Sequence, residues 1–451
     1  MTPPAPDPQP GSPSALRREV LRLAFPAFLA LVAEPLFLLA DSAIVGFLGT
    51  NSLAGLGVAS AVLLTAVNIF VFLAYGTTAI VARKLGAGDQ RGALAAGIDG
   101  LWLAVILGVI AALAVALWAQ PLVAVFGATP EATAEAVIYL RVSTLGIPPM
   151  LLVLAATGVL RGLQDTRTPL VAAVAGFSVN AVLSLVLVHV VGWGIAGAAW
   201  GTVIAQTGMA IALVWVVVVG ARRLEAPMGF TASGVLRSAL DGVPLLVRTL
   251  SLRAVLLVTT WVAAGLGTPE LAAHQVAMTV WSALAFSLDA LAIAAQALTG
   301  KSLGAGDVTR TRATTAMMVR WSIWFGVVLA ALVIVLHQVI PLGFSTDPQV
   351  RAALAAALIV VAVVQPVSGV AFILDGVLIG AGDTRWLAVA QTVFLVAYLP
   401  MVLAVWAADV VGVTGLVWLW VAFGGFMTIR AAGLWWRARG DAWMVVGDSS
   451  R

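Results

Sequence analysis

Between about residue 19 and residue 437 the chain is a succession of apolar runs of twenty or more residues, each closed by a short break carrying Gly, Pro or Arg. About 20 apolar residues is what an α-helix needs to cross the hydrocarbon core of a bilayer. Lipid offers no partner to backbone N–H and C=O groups, so such a run must satisfy them internally, as a helix does. Dividing the span by one segment and its loop gives about twelve transmembrane helices. They fall near 19–49, 52–81, 93–118, 132–161, 168–191, 195–219, 237–266, 271–299, 311–337, 349–379, 385–408 and 414–437. Composition agrees, with 62% hydrophobic and only 10% charged residues, where a soluble domain carries about 25% charged.

Cysteine is absent, which removes disulfides and thiol chemistry. Residues 1–15, MTPPAPDPQPGSPSA, are Pro-rich and polar, without the apolar run of a cleavable signal, and are expected to form a disordered cytoplasmic tail. The net charge of +4 could suggest a nucleic-acid partner, but the placement of the basic residues gives a better reason. Arg17, Arg18, Arg22, Arg83, Lys84, Arg91, Arg161, Arg167, Arg222, Arg223, Arg237, Lys301, Arg310, Arg312, Arg385, Arg430, Arg437 and Arg439 fall at alternate loops or at the chain ends. The intervening loops hold almost no Lys or Arg, apart from Arg351. That bias puts both termini in the cytoplasm, in a multi-pass protein of the inner (plasma) membrane, and no nucleic-acid partner is expected.

One shift aligns several breaks. Leu85-Gly86-Ala87-Gly88-Asp89 recurs as Leu303-Gly304-Ala305-Gly306-Asp307, and Asp165-Thr166-Arg167 as Asp383-Thr384-Arg385, both at an offset of 218. The same offset maps Pro26 onto Pro244, Phe126 onto Phe344, Pro130 onto Pro348 and Pro148 onto Pro366. The expected fold is therefore all-α and integral to the membrane: two pseudo-symmetric six-helix bundles with a central cleft, the layout of alternating-access carriers. The expected division is an N-lobe at 16–219, a cytoplasmic linker at 220–236, a C-lobe at 237–440 and a C-terminal tail at 441–451. Glycine and Asp in the repeated loops read as turn and cap residues at helix ends.

Residues 32–46, VAEPLFLLADSAIVG, place Glu34 and Asp41 inside the first apolar run. An acid at the centre of a membrane helix costs roughly 2.5–3.5 kcal/mol on insertion scales and marks ion paths, relays or counter-ion sites. The Asp in FLLADSAIVG, the two LGAGD and DTR-type loops, AAHQVAM at 272–278 and LDALAIAAQALTG at 288–300 together resemble the MATE (multidrug and toxic compound extrusion) family, most nearly its DinF-like branch. That resemblance covers nearly the whole chain. It implies a two-lobed antiporter that exports diverse, often cationic or amphipathic compounds against inward movement of H⁺ or Na⁺. It also implies a first-lobe cation site whose members match Asp41, Tyr139, Asn180 and Thr202, with Pro26 as the bending point of the first helix. One position departs: where the family commonly has a second carboxylate one turn after the asparagine, this chain has Ser184.

Depth arithmetic bears on the same residues. With the N-terminus inside, Asp41 and Ser184 lie about eight residues, roughly 12 Å, below the outer ends of their helices, and Tyr139 and Thr202 about seven residues below the same surface. Asn180 is one turn deeper, so five polar side chains share one layer of the N-lobe. The offset of 218 turns Asp41 into Thr259, Asn180 into Tyr398, Ser184 into Val402 and Thr202 into Trp420, so the C-lobe does not copy that layer. An aromatic, apolar drug-contacting surface over both lobes is expected from this contrast, although most of the 16 tryptophans read as an interfacial belt.

Burial disfavours the charged form of a carboxyl group, and hydrogen bonds from neighbours restore it, so Asp41 suits reversible protonation. A hard cation such as Na⁺ wants several oxygens and benefits from two carboxylates; Ser184 keeps an oxygen and loses the charge, which favours H⁺ over Na⁺ as the coupling ion. Glu34 lies two turns from Asp41 on the same face, either as a deeper relay acid or as a protonated acid bonded within the bundle. Asp289 and Asp375 in the C-lobe could meet a cationic drug or pair with Arg253 or Arg248, and Gln206 and Gln275 are candidate cleft residues. His189, His274 and His337 are scattered near outer helix ends, so no metal site is expected, and no other cofactor. There is no triad-like spacing and no P-loop, so neither an enzyme nor an ATP-driven pump is expected. The rival reading is a flippase for lipids or lipid-linked saccharides with the same bundle architecture, whose central cavity would be basic. The expected partners are small-molecule drugs or metabolites and membrane lipids, around a monomer.

Overall fold

The computed structural model describes residues 13–408 and 410–447, without the side chains of residues 13–15, 34, 36, 38 and 39. Of the tail expected at 1–15, residues up to 12 lie outside that description, as do the last four residues of the chain, and 13–15 belong to the first helix instead of a disordered tail. Every element among the described residues is helical. Eleven helices are long and apolar enough to cross a membrane: α2 (Thr50–Gly86), α3 (Gln90–Leu117), α4 (Pro130–Gly162), α5 (Arg167–Val190), α6 (Gly194–Arg223), α7 (Ala232–Ala264), α8 (Thr268–Gly304), α9 (Val308–Leu336), α10 (Pro348–Gly380), α11 (Thr384–Ala407) and α12 (Gly412–Arg439). The first helix, α1 (Pro13–Gly46), makes twelve.

The repeated loops work as the turns that their residues suggest. Asp89 accepts the Gly92 amide at 2.7 Å at the start of α3, and Asp307 accepts the Arg310 amide at 2.8 Å at the start of α9. The glycines before them, Gly88 and Gly306, sit at φ +81° and +75°, a left-handed turn that a side chain would oppose. The DTR loops diverge. Asp165 caps α5 through the amides of Arg167 and Thr168, both at 3.0 Å, whereas Asp383 grips the Arg437 guanidinium at 2.7 and 3.2 Å.

The duplication extends to helix packing. Gly158 and Gly162 of α4 press on the backbone of α2, where an added Cβ would stand 2.5 Å from the Ala74 carbonyl oxygen and 2.9 Å from that of Thr78. Gly376 and Gly380 of α10 press likewise on α8, 2.4 Å from the Ala292 oxygen and 2.3 Å from the Gln296 oxygen. All four contacts repeat at the offset of 218, and each is a small-xxx-small pair that lets two helix backbones meet without hydrophobic drive from the lipid. Gly108 against Pro148 and Gly326 against Pro366 repeat in the same way.

Contacts divide the chain into two units, residues 25–243 and residues 244 onward together with those up to Ala24. Both crossings fall at a proline inside a long helix, Pro26 of α1 and Pro244 of α7. A proline removes one helical hydrogen bond and crowds the preceding turn, so the helix can change direction there. Within the second unit the first turns of α1 are held by Glu19, which meets Arg310 at 2.6 Å and Lys301 at 3.8 Å, above the buried Val20 and Leu23.

Within the first unit the start of α7 is held by α3. Asp99 accepts from the Thr231 hydroxyl at 3.1 Å and lies against Gly234, whose missing Cβ would be 2.3 Å from Oδ2. Trp102 donates to the Met228 carbonyl at 3.2 Å. The basic stretch 220–236, expected to link two lobes cut at 219 and 237, is thus helical at both ends, and its connection at 224–231 is fastened to α3. Each lobe carries the opening turns of a helix whose remainder belongs to the other.

Candidate functional site

Five polar side chains of the first lobe converge in one layer of the bundle. Asp41, Tyr139, Asn180, Ser184 and Thr202 are all buried. The Tyr139 hydroxyl donates to Asp41 Oδ2 at 3.5 Å. Ser184 donates to Asn180 Oδ1 at 3.1 Å, and Asn180 Nδ2 donates to Thr202 Oγ1 at 3.5 Å. Thr202 in turn donates to the Ala198 carbonyl at 3.2 Å, while the Ser184 hydroxyl faces the Asp41 carboxylate and the Thr202 hydroxyl faces the Tyr139 phenol. Asp41 Oδ1 has no hydrogen-bond partner among the described residues.

Local sequence explains the convergence. Gly197 and Gly201 of α6 face α5, where a Cβ at 201 would stand 2.6 Å from Ser184 Oγ and a Cβ at 197 only 2.7 Å from the Leu187 carbonyl carbon. These two glycines bring Asn180 and Ser184 against Thr202. Just beyond Ser184, α5 widens into a π-helical turn at Val186–Val190, closed by Val191 N–H on the Val186 carbonyl at 2.9 Å. Such turns hold an extra residue and re-aim side chains, often beside functional sites. Here the turn points His189 at α1, its Nε2 3.1 Å from the Ile44 carbonyl oxygen. On the other side of Asp41, Phe37 stacks on Phe177 with centroids 5.0 Å apart. Contacts from α5 thus bracket the acid on α1.

Ser143 was not singled out in the sequence; it sits one turn after Tyr139 with its hydroxyl beside the phenol. The available signal is its spacing of four from Tyr139, which puts both on one helix face. The Glu34 side chain lies outside the described residues. Gln206 is half-buried one turn inward of Thr202 on α6, Gln275 is exposed on α8, and Asp289 is half-buried.

Asp375, considered for a cationic ligand, is buried between two guanidiniums. Arg248 Nε reaches its Oδ1 at 3.1 Å, Arg248 Nη2 bonds its Oδ2, and Arg430 Nη2 lies 3.3 Å from that oxygen. The pairing with Arg248 was one of two options in the sequence. Arg430, counted there among residues that only set topology, is instead 3% exposed inside the second lobe. Among the described residues no three His, Cys, Asp or Glu side chains are grouped as metal ligands would be.

At the positions related by 218, the second lobe is closed. Thr259 and Tyr398 share a 2.7 Å hydrogen bond, and Trp420 packs on His274 with centroids 5.6 Å apart. Phe423 and Phe426 complete a buried aromatic cluster with Tyr398 and Trp420.

Membrane-length helices in two copies of one bundle, with a polar layer in one copy and an aromatic cluster at the related positions of the other, form a multi-pass membrane architecture. The MatE family model matches residues 26–186 and again 244–406, and the chain belongs to that family. The two matches start 218 residues apart, at the two helix prolines. Over 433 residues the chain is 33% identical to Protein DETOXIFICATION 44, chloroplastic, of Arabidopsis thaliana, covering 92% of this chain and 81% of that protein. It is 28% identical to Multidrug resistance protein NorM of Burkholderia vietnamiensis, over 94% of this chain and 91% of that one. A MATE crystallised in a bent conformation shares the fold, with a TM-score of 0.86 at 22% identity over 95% of this chain and 96% of the other.

Proposed function

We propose that the protein is a secondary active antiporter of the cell inner membrane, with both termini cytoplasmic. It exports organic, often cationic or amphipathic compounds in exchange for H⁺. The observation that carries this reading is the buried Asp41 carboxylate, bonded at Oδ2 and without a partner at Oδ1. A proton entering from outside neutralises the acid, and a cationic substrate competes with that proton for the same charge. Because α1 changes lobe at Pro26, a change at Asp41 passes along one helix into the bundle that holds Glu19. Repacking of α1 about Pro26 is the conformational step of alternating access.

The layer supplies one carboxylate and neutral oxygens from Tyr139, Asn180, Ser184 and Thr202. A proton needs one basic oxygen, whereas Na⁺ needs several oxygens held at fixed distance, with charge to offset its dehydration. H⁺ therefore fits this set better than Na⁺. The experiment is export of a fluorescent organic cation from proteoliposomes in which ΔpH and ΔpNa are set separately, with the wild type and Asp41→Asn. Export should follow ΔpH without Na⁺ and be lost in the variant. A strict Na⁺ requirement, or full proton-driven export by Asp41→Asn, would overturn the reading.

A further inference from the structure

The opening turns of α1 and of α7, before Pro26 and Pro244, each pack in the bundle that does not hold the rest of their helix. The turns of α7 dock on α2 and α3. There the Cβ missing from Gly234 would stand 2.3 Å from Asp99 Oδ2, and the one missing from Gly242 would stand 2.6 Å from Cε2 of Phe72. Arg237 acts electrostatically on the same Asp99. The turns of α1 dock on α8 and α9, where Glu19 meets Lys301 and Arg310.

At the offset of 218 the two segments differ in kind. Gly234 answers to Leu16, the buried Val235 to the exposed Arg17, and Arg237 to Glu19; the exposed Asp241 answers to the fully buried Leu23, and Gly242 to Ala24. The docks differ in step, since Asp99 answers to the buried Met317 and Phe72 to the buried Ala290. Exchanging the segments would therefore fail on both sides. On the first dock, α1 would drive the Leu16 side chain and the Glu19 carboxylate at Asp99, the Ala24 Cβ at Phe72, and Arg17 into the buried place of Val235. On the second, α7 would set Arg237 against Lys301 and Arg310, and put Asp241 where Leu23 is buried. Buried charges without an opposite partner are strongly destabilising.

We infer that the opening turns are addressed to opposite bundles by complementary size and charge: those of α1 fit the dock on α8 and α9 alone, and those of α7 fit the dock on α2 and α3 alone. Two copies of one frame offer each segment two docks of the same backbone, so the backbone cannot choose between them. Chain connectivity favours the wrong choice. Glu19 is nearer in sequence to Asp99 than to Arg310, and Arg237 is nearer to Arg310 than to Asp99, so closure entropy favours docking within the same bundle. Discrimination must then come from the side chains, through what they exclude as much as through what they hold. The reversal from Glu19 to Arg237 supplies the charge part, and the glycines at 234 and 242 supply the size part.

The chain has no cysteine, so pairs of introduced cysteines carry spin labels without background. Leu236→Cys with Arg91→Cys reports the first dock, and Arg17→Cys with Thr309→Cys reports the second; all four positions are exposed. In purified full-length protein, pulsed electron spin resonance should find one short distance for each pair. Arg237→Glu sets two acids together and should lose the first pair's short distance in a large share of molecules, while the second pair keeps its own. Adding Asp99→Lys should restore it. Gly242→Val should cause the same loss at the first dock, and adding Phe72→Ala should reverse it. An unchanged first-pair distance in either variant, failure of either added substitution to restore it, or loss at both docks together would overturn the inference.

Discussion

The polar layer of the first lobe and the corresponding place in the second start from the same backbone and end in opposite chemistry. In the first, Asp41 faces Tyr139, with Asn180, Ser184 and Thr202 linked beside them. In the second, Thr259 bonds Tyr398, and Trp420, Phe423 and Phe426 close the space. The frame around both is shared, down to glycine pairs pressed on the same carbonyls at an offset of 218. Duplication supplied two equivalent sockets; substitution at four or five positions kept one polar and filled the other. A buried acid among four neutral hydrogen-bonding groups can change its protonation state. A phenol bonded to a threonine in an aromatic cluster has no such freedom, so the proposed coupling is placed in the first lobe.

The largest expected effect breaks what the lobes share. Gly158→Val and Gly376→Val each force a branched side chain into a carbonyl oxygen that already lies within 2.5 Å of the Cβ position. Overpacking of this kind costs about 1–3 kcal/mol or more. Both variants should lower the melting temperature by similar amounts, read by thermal unfolding in detergent, and tolerance in one lobe alone would show that the frames are not equivalent.

Next comes Asn180→Leu, which removes the link between Ser184 and Thr202 and takes away the acceptor of the Ser184 hydroxyl. A buried group left unsatisfied costs about 1–3 kcal/mol. Stability should fall by that order and proton-driven export should fall with it, whereas Tyr398→Phe at the related position should leave export intact.

Ser184→Asp sharpens the contrast in the other direction. It restores a second acid to a layer that already has the oxygens for a hard cation. Export by this variant should acquire a dependence on Na⁺, measured at fixed ΔpH, and an unchanged ion requirement would count against the assignment of H⁺ from the single acid.

The smallest effect belongs to Tyr398→Phe itself. Thr259 still donates to the Val255 carbonyl at 2.7 Å. The loss is therefore one exchangeable hydrogen bond, about 1 kcal/mol, visible in thermal unfolding and absent from transport.

Much of this was legible in the residues. Long apolar runs require helices, the repeated Gly-Asp turns reveal the duplication, and helical rise with the order of the spans sets Asp41, Tyr139, Ser184 and Thr202 near one depth with Asn180 one turn away. Three features were not. The exchange of opening turns at Pro26 and Pro244 depends on which bundle residues 13–24 and 232–243 pack against, and proline marks only that a bend is allowed. Arg430 reads like any other arginine near an inner helix end, and only its approach to Asp375 across α10 and α12 shows that it is buried. Ser143 is too common a residue type to stand out until Tyr139 is known to point into the site.

The central claim is that the Asp41 carboxylate exchanges a proton for substrate, and proton release on binding tests it most directly. Purified protein in weakly buffered detergent solution, held near neutral pH with Na⁺ absent, is titrated with a saturating organic cation while the bulk pH is followed. The account predicts that the wild type releases protons on binding and that Asp41→Asn binds the cation without releasing any. Equal release by both proteins would contradict it.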